Sequence, residues 1–467
     1  MTQPLSPALR ADLQRLVGED GVVTGPEAHV YERGYRHGAG RALAVVRPST
    51  VEATAAFVGY AARQGLRIVA QGANTGLVGA STPGPDGDQI VLSLESLRRI
   101  EALDAADRTA TVQAGVRLSA LNAAAAPAGL WLPIDLGADP SIGGMVATNT
   151  GGTRQLRYGG MRRRLLGLEA VLPDGTLLRE MRGLRKDNVG IDVKQLFVGT
   201  GGSLGVITRA IVELAPVLRR TATALVAPAS IAAIPAILRD IESRVGAMLT
   251  AFEGISCEAL AATLRRHPSL ANPFAPDPIP PYVLLIEFGA TEADREVEEL
   301  LVALLAELAD SPVALITDAR VGAPERIWAI RHAISDSLRH EGRVIAFDVS
   351  VTRSRLPAFR ADVVGRLAED FPFLRVCDFG HWGDGGLHLN LVWPDASGDV
   401  CGTEWRVRDL VYTVVEAHGG SFSAEHGVGP INLSVYRRYT PEPCQRLGSN
   451  LKTLLDPHAR LGAVHFA

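Results

Sequence analysis

Cysteine is scarce in this chain, four in 467 residues, and Cys257, Cys377, Cys401 and Cys444 show no Cys-x-x-Cys spacing. That excludes a disulfide-stapled scaffold or a thiolate zinc ribbon and reads as reduced thiols in a cytosolic protein. An excess of one charge is missing too. Lys and Arg number 47 against 51 Asp and Glu, the net charge is −4 and the isoelectric point is near 6.3, so no nucleic-acid partner is expected. The one basic cluster, Arg157 with Arg162, Arg163 and Arg164, reads as a solvated face, with a nearby anionic cofactor as the other use for it. The N-terminal MTQPLSPALRADLQRLVG has no apolar stretch of signal-peptide length, and secretion is not expected. The uncharged stretch from Thr221 to Leu238 is largely alanine with Pro228 and Pro235. It reads as a strand, a turn and an amphipathic helix, not a membrane span. The expectation is a cytoplasmic protein without a transmembrane segment, with peripheral contact at the inner membrane left open. Tandem repeats and low-complexity tails are also lacking.

What is present is enough chain for two domains of about 200 residues each. Up to Pro216 the sequence is rich in glycine, with short strands expected at Ala44 to Val46, Arg67 to Ala70 and Ile90 to Leu92. From Val217 onward strands alternate with helices, for example a strand over Tyr282 to Phe288 and a helix over Glu292 to Leu308. The proline-rich loop from Pro268 to Pro281 separates two such units.

Chemistry concentrates near the C-terminal end. FGHWGDGGLHLNLVW carries His381 and His388, and GGSFSAEHGVG carries Glu425 and His426. Two imidazoles and a carboxylate are the ligand types of a divalent ion with open positions, with one histidine to spare. Leu387, Leu389 and Leu391 alternate with His388 and Asn390, so the leucines are expected to face a core and His388 and Asn390 to share the other face. The Gly-Asp-Gly-Gly turn can fold the chain back and bring His381 toward His388. Glu425 and His426 are expected at a strand end, where Gly427 and Gly429 let both turn inward. The competing reading is four groups satisfied by ordinary interior and surface contacts.

Three glycine-rich segments in the first half point to an anionic ligand. VAQGANTGLVGAS, Val69 to Ser81, runs a strand into a loop of small residues whose backbone N–H groups can cradle phosphate. It has neither the Gly-Lys-Ser/Thr of a Walker loop nor a placed Gly-x-Gly-x-x-Gly. In LPIDLGADPSIGGMVATNTGG, Leu132 to Gly152, Pro133 and Gly137 shape a turn, Ser141 can cap, and Gly143 and Gly144 open a helix through Ala147 and Asn149 that suits a pyrophosphate. QLFVGTGGSLGVITRAIVEL leads through a glycine turn into a buried strand at Gly205 to Ile207.

In order and wording these segments resemble the flavoproteins of the vanillyl-alcohol oxidase or PCMH-type FAD-binding superfamily, and within it the D-2-hydroxy acid dehydrogenases. The likeness runs from RPSTVEATAAFV at Arg47 through QGANTG, IGGMVATNTGG, RYGG, LRKDNVG and GSLGVIT to HWGDGGLHLN and SAEHGVG. It implies an α+β fold. Residues 1–216 would form a PCMH-type FAD-binding domain of two α+β subdomains, and residues 217–425 a cap with an antiparallel sheet and flanking helices that closes the substrate site. Residues 426–467 would return to the FAD domain. The implied cofactor set is Gln71, Gly72, Ala73, Asn74, Thr75, Gly76, Leu77, Pro133, Gly137, Ser141, Ile142, Gly143, Gly144, Ala147, Asn149, Gly152, Gly205 and Ile207, with the pyrophosphate against Gly72 to Leu77 and Ser141 to Gly144. No histidine or cysteine sits in the QGANTG loop, so non-covalent FAD is expected.

The same resemblance assigns zinc or another divalent metal to His381, His388 and Glu425, and substrate contact to Asn390, His426, Arg331 and Ser335 of IWAIRHAIS. Arg331 would form a two-pronged pair with the substrate carboxylate, and His426 would take the hydroxyl proton as hydride leaves for flavin N5. A salt bridge on the surface or between domains is the competing role for Arg331. Three departures stand out: Ala346 in RVIAFDVSV where the family has lysine, Asn432 in GPINLSVYRR where lysine is usual, and the ending LLDPHARLGAVHF. They point to a monocarboxylic D-2-hydroxy acid, D-lactate-like or with an apolar or aromatic side chain. D-2-hydroxyglutarate stays open if Arg343 restores the charge, as do a flavin oxidase and a flavin-free metal hydrolase or lyase. The electron acceptor can be a flavoprotein carrier, a quinone or a cytochrome, and a homodimer is compatible with the sequence.

Overall fold

A computed structural model describes residues 5–464 and Phe466, so the first four residues of the N-terminal segment and His465 of the ending lie outside it. The chain divides into two compact units. One comprises the residues up to Gly152, Gly159–Val217 and Glu425 onward; the other comprises Thr153–Tyr158 and Leu218–Ala424. Thr153–Tyr158 thus departs from the expected boundary. Arg154 pairs with the buried Glu287 carboxylate, and Arg157 Nη1 donates to the Gly289 carbonyl at 2.7 Å, so both arginines are committed within the second unit.

In the first unit, a four-stranded sheet runs in the order Val22–Val23, Ala42–Val46, Gln89–Ser93, Arg67–Gln71, its last three strands parallel. The helix Val51–Gln64 packs on it through Phe57, Val58 and Ala61, capped by Thr50 accepting from Ala53 N at 3.0 Å and ended by left-handed Gly65. Parallel strands buried on both faces demand continuous apolar runs, and Gln89–Ser93 is buried along its whole length. A second, antiparallel sheet orders Ile100–Asp104, Thr109–Gln113, Val206–Glu213, Leu165–Val171 and Leu177–Glu180. The arginine cluster is a solvated face only in part: Arg162 and Arg163 are exposed, with Arg162 Nη2 donating to the Val198 carbonyl at 2.9 Å, whereas Arg164 is buried and pairs with Glu213 at 3.2 Å.

The chain's ending is built into this unit. Ile68 N donates to Arg460 O at 2.7 Å and Gly462 N to Ile68 O at 2.8 Å, so the segment pairs with the strand that leads to the glycine loop. Lys452 carries its ammonium into the interior, where it donates to Ser203 O, Leu461 O and Asp456 Oδ2 at 2.6–2.7 Å. Burial pushes the Lys452 pKa down, against the opposing pull of Asp456.

The second unit is an antiparallel sheet in the order Ile316–Gly322, Arg220–Pro228, Tyr282–Ala290, Leu249–Ser256, Phe379–Gly380, Gly386–Trp393, Arg343–Ser350, with Arg375–Val376 also pairing to Gly386–Trp393. Helices Val297–Asp310 and Pro324–Arg339 belong to this unit. The first starts later than expected. Residues 292–296 are all exposed, and the Ala293 carbonyl is taken by Arg220 Nε at 2.6 Å, so Val297 is the first residue with a face to bury. Among the described residues no helix is long and apolar enough to cross a membrane.

Lys452→Met should leave Asp456 an uncompensated buried charge, and breaking such a pair costs about 3–5 kcal/mol. Urea unfolding of the full chain checks this, and a loss under ~1 kcal/mol would show that the ammonium does not hold the ending.

Candidate active site

In the first unit the strand Arg67–Gln71 ends in the glycine loop, and Gln71 ties it down. Its Nε2 donates to Tyr31 O at 2.9 Å and to Ser81 O at 2.7 Å. Asn74 holds a left-handed conformation (φ 55°), donates to Arg33 O at 2.6 Å and accepts from Ser81 Oγ at 2.9 Å. With its side chains turned to the protein, the loop offers backbone to a cavity of about 280 Å³. Ser141 stands at the start of helix Ile142–Thr148 but does not cap it; its Oγ accepts from Ala73 N at 3.3 Å, joining helix to loop.

Close approach explains the glycines. A Cβ on Gly72 would lie 2.2 Å from Ser141 Oγ, and one on Gly143 would lie 2.5 Å from Ala114 Cβ and 3.0 Å from its Cα. Of the expected cofactor residues, Gln71 to Leu77, Gly137, Ser141, Gly143, Gly144, Ala147, Gly205 and Ile207 line the cavity. Four do not. Pro133 is buried, and the Ile142 side chain belongs to the hydrophobic core. Asn149 turns its side chain to Arg162 N at 2.9 Å, and Gly152 (φ 109°) makes the chain turn and donates to Glu425 Oε2 at 3.3 Å. Thr148, Thr150, Gly201 and Gly202 line it without having been expected.

Glu425 and His426 line this same cavity. They sit on bends, with no strand leading into them, and the segment is seated by Gly429, where a Cβ would meet Val78 O at 2.2 Å. A neighbouring cavity of about 810 Å³ shares Gly72, Ala73 and Ser141 and is walled in part by Arg47, Arg98 and Arg117. Small residues, exposed backbone and arginines further along fit a long anionic dinucleotide such as FAD.

The second unit holds the two histidines. Leu387, Leu389 and Leu391 are fully buried on one face of Gly386–Trp393, leaving His388 and Asn390 on the other. The turn does fold back: His381 O accepts from the amides of Asp384, Gly385 and Gly386 at 3.0–3.1 Å. His381 Nε2 then lies 3.2 Å from His388 Nε2. Two nitrogens each about 2.0–2.1 Å from an ion, at a near-tetrahedral angle, stand at about this separation. The chemistry and spacing of the pair fit a divalent metal.

Behind His381 stands Glu253, 1% exposed. Its Oε1 is 2.7 Å from His381 Nδ1, and its Oε2 accepts from Arg331 Nε at 2.7 Å and Nη2 at 2.6 Å. Burial pushes its pKa up, but His381 and Arg331 together outweigh that and hold it at about 2. Arg331 is therefore neither on the surface nor bridging domains: it is buried, lies 4.6 Å from the Phe379 ring, and spends its Nε–Nη2 edge on Glu253 instead of holding it out for a substrate. Ser335, half-buried, is one helical turn further along. Asn390 donates to His388 O at 3.2 Å, and Asp348 Oδ1 is 3.7 Å from His388 Nδ1.

The glycine-walled cavity defines a flavin-binding unit, and comparison with known proteins agrees. Residues 42–180 match the FAD binding domain family and residues 217–464 the C-terminal domain of FAD linked oxidases. The chain is 36% identical over 424 residues to mitochondrial D-2-hydroxyglutarate dehydrogenase of Bos taurus, covering 90% of this chain and 75% of that one. It is 31% identical to the D-2-hydroxyglutarate dehydrogenase of Stutzerimonas stutzeri, covering 97% of each, and 32% identical to a putative mitochondrial D-lactate dehydrogenase of Schizosaccharomyces pombe, covering 90% and 80%. The solved alkyldihydroxyacetonephosphate synthase shares the fold, with a TM-score of 0.73 at 18% identity over 98% of this chain and 86% of that one. The chain belongs to the FAD-dependent D-2-hydroxy acid dehydrogenases of the FAD-linked oxidase family and is an oxidoreductase.

Gly143→Ala should force the helix start off Ala114. Overpacking of about 1–3 kcal/mol corresponds to ~5- to 150-fold weaker FAD binding. Flavin fluorescence titration of the apoprotein checks this, and unchanged affinity would mean that the close approach is not required.

Proposed function

We propose that the protein oxidises a D-2-hydroxy acid with a single carboxylate to the 2-oxo acid, assisted by a divalent ion at His381 and His388. The observation that carries this reading is the pair of imidazoles at 3.2 Å, backed by Glu253 and accompanied by Arg331. Glu425 enters as third ligand through the family resemblance. Bound FAD supplies a two-electron acceptor, and the ion supplies a Lewis acid.

The chain's own groups do the rest. Arg331 keeps its Nη1 hydrogens and the outer Nη2 hydrogen, a second edge that can take a substrate carboxylate. A ring nitrogen of His426, at the flavin cavity, receives the hydroxyl proton as the α-hydrogen leaves with its electron pair. Asn390 and Ser335 hold the acid's oxygens in this reading, a role that comes from the family resemblance.

The single-carboxylate reading rests on the strand Arg343–Ser350. Val344, Ala346, Asp348 and Ser350 share one face, opposite Val392, Asn390, His388 and Gly386, and none of these eight residues is a lysine or arginine. Arg343 alternates to the other face and is engaged by Glu404 at 2.7 Å, so it does not restore the charge. D-2-hydroxyglutarate is the second reading, favoured by the names of the relatives.

The deciding experiment compares kcat/KM for D-lactate, D-mandelate and D-2-hydroxyglutarate with a dye acceptor. A preference of tenfold or more for a monocarboxylate is expected, and the reverse order would overturn the substrate assignment. His426→Asn should lose about 10²- to 10⁴-fold in turnover with flavin retained. Near-normal turnover would remove His426 from the proton-transfer role.

A further inference from the structure

Glu253 stands behind His381 with no function of its own assigned so far, yet it is an acid only 1% exposed. It sits on Leu249–Ser256, where every residue is buried, and its two oxygens have different partners. Oε1 faces His381 Nδ1, and Oε2 faces both inner nitrogens of Arg331. A neutral imidazole that gives its Nδ1 proton to a carboxylate keeps its lone pair on Nε2, and Nε2 is the atom that faces His388.

The turn carrying His381 is pinned from behind as well. Gly254, paired with Gly380, leaves no room for a Cβ because Trp382 would lie 2.3 Å away. Trp382 Nε1 donates to Tyr282 Oη at 2.8 Å, Tyr282 donates to the buried Asp378 at 2.9 Å, and Arg360 grips both Asp378 oxygens at 2.7–2.8 Å. The backbone of the turn is thereby fixed on the strand that bears Glu253, so the carboxylate meets the ring at a set angle.

We infer that Glu253 is a positioning residue that presents the Nε2 lone pair of His381 to the metal ion and, through its other oxygen, fixes which edge of Arg331 is left for the substrate. This rests on the metal reading given above. One carboxylate thus sets the direction of a metal ligand and of a substrate-binding cation together. Partners of this kind typically account for about 10- to 100-fold in metal affinity.

The test uses the flavin-loaded enzyme, stripped of metal with a chelator and dialysed against graded zinc with elemental analysis of the retained metal. Glu253→Gln should bind zinc about 10- to 100-fold more weakly than the unaltered enzyme while keeping its flavin. Equal affinity would overturn the inference and leave the metal reading standing. Failure of the unaltered enzyme to bind zinc would overturn both. Should the glutamine variant not fold, imidazole ¹⁵N spectra of the unaltered metal-free enzyme decide, with His381→Gln for assignment. A proton on Nδ1 of His381 is expected, and a proton on Nε2 with Nδ1 bare would overturn the role.

Discussion

A carboxylate almost out of reach of water holds a histidine with one oxygen and an arginine with the other, and the chemistry proposed for this protein depends on that bridge. A charge in such a place is tolerated only when paired, and Glu253 is paired twice. The consequence runs outward: His381 cannot spin, its Nε2 is committed to the direction of His388, and Arg331 is left with one edge to offer. Each of these groups would adopt several rotamers on an isolated strand or helix. Together they form one pre-set constellation, the condition under which positioned groups accelerate a reaction.

The first unit answers a different demand with a different material. An anionic cofactor is met by backbone, so the wall of the cavity is glycine and small residues, and side chains such as Gln71, Asn74 and Ser141 turn away to fasten the loop. Glycine costs conformational entropy, and the surrounding structure offsets it with rigid supports. The ending contributes one: Lys452 reaches Ser203, next to Gly201 and Gly202 of the cavity wall. What the ending supplies is a buried cation and a paired strand, a requirement on chemistry and not on a particular run of letters.

Much of this was legible in the sequence because it is local. The alternation of Leu387, Leu389 and Leu391 fixes which face His388 occupies, and the glycines after His381 fix the turn. The strand-to-loop passage at Gln71 follows from apolar residues giving way to glycine. What escaped was non-local. Glu253 lies 128 positions from His381 and meets it only through strand pairing, which no spacing reveals. Its one signal was an acid in an otherwise apolar run, AFEGIS, where a charge is expensive without a partner. For the same reason Arg157 reads as a solvated group in the sequence, although it serves the second unit. Ser141 fell to a local ambiguity: a residue at a helix start can cap that helix or bond elsewhere, and here the Ala73 amide takes its oxygen.

The most direct test of the central claim is X-ray diffraction from zinc-grown crystals at wavelengths on either side of the zinc absorption edge. An anomalous peak about 2 Å from Nε2 of both His381 and His388, with Glu253 still bridging His381 and Arg331, is the predicted result. Full-occupancy imidazoles with no peak between them, their nitrogens joined directly by a hydrogen bond, would contradict it.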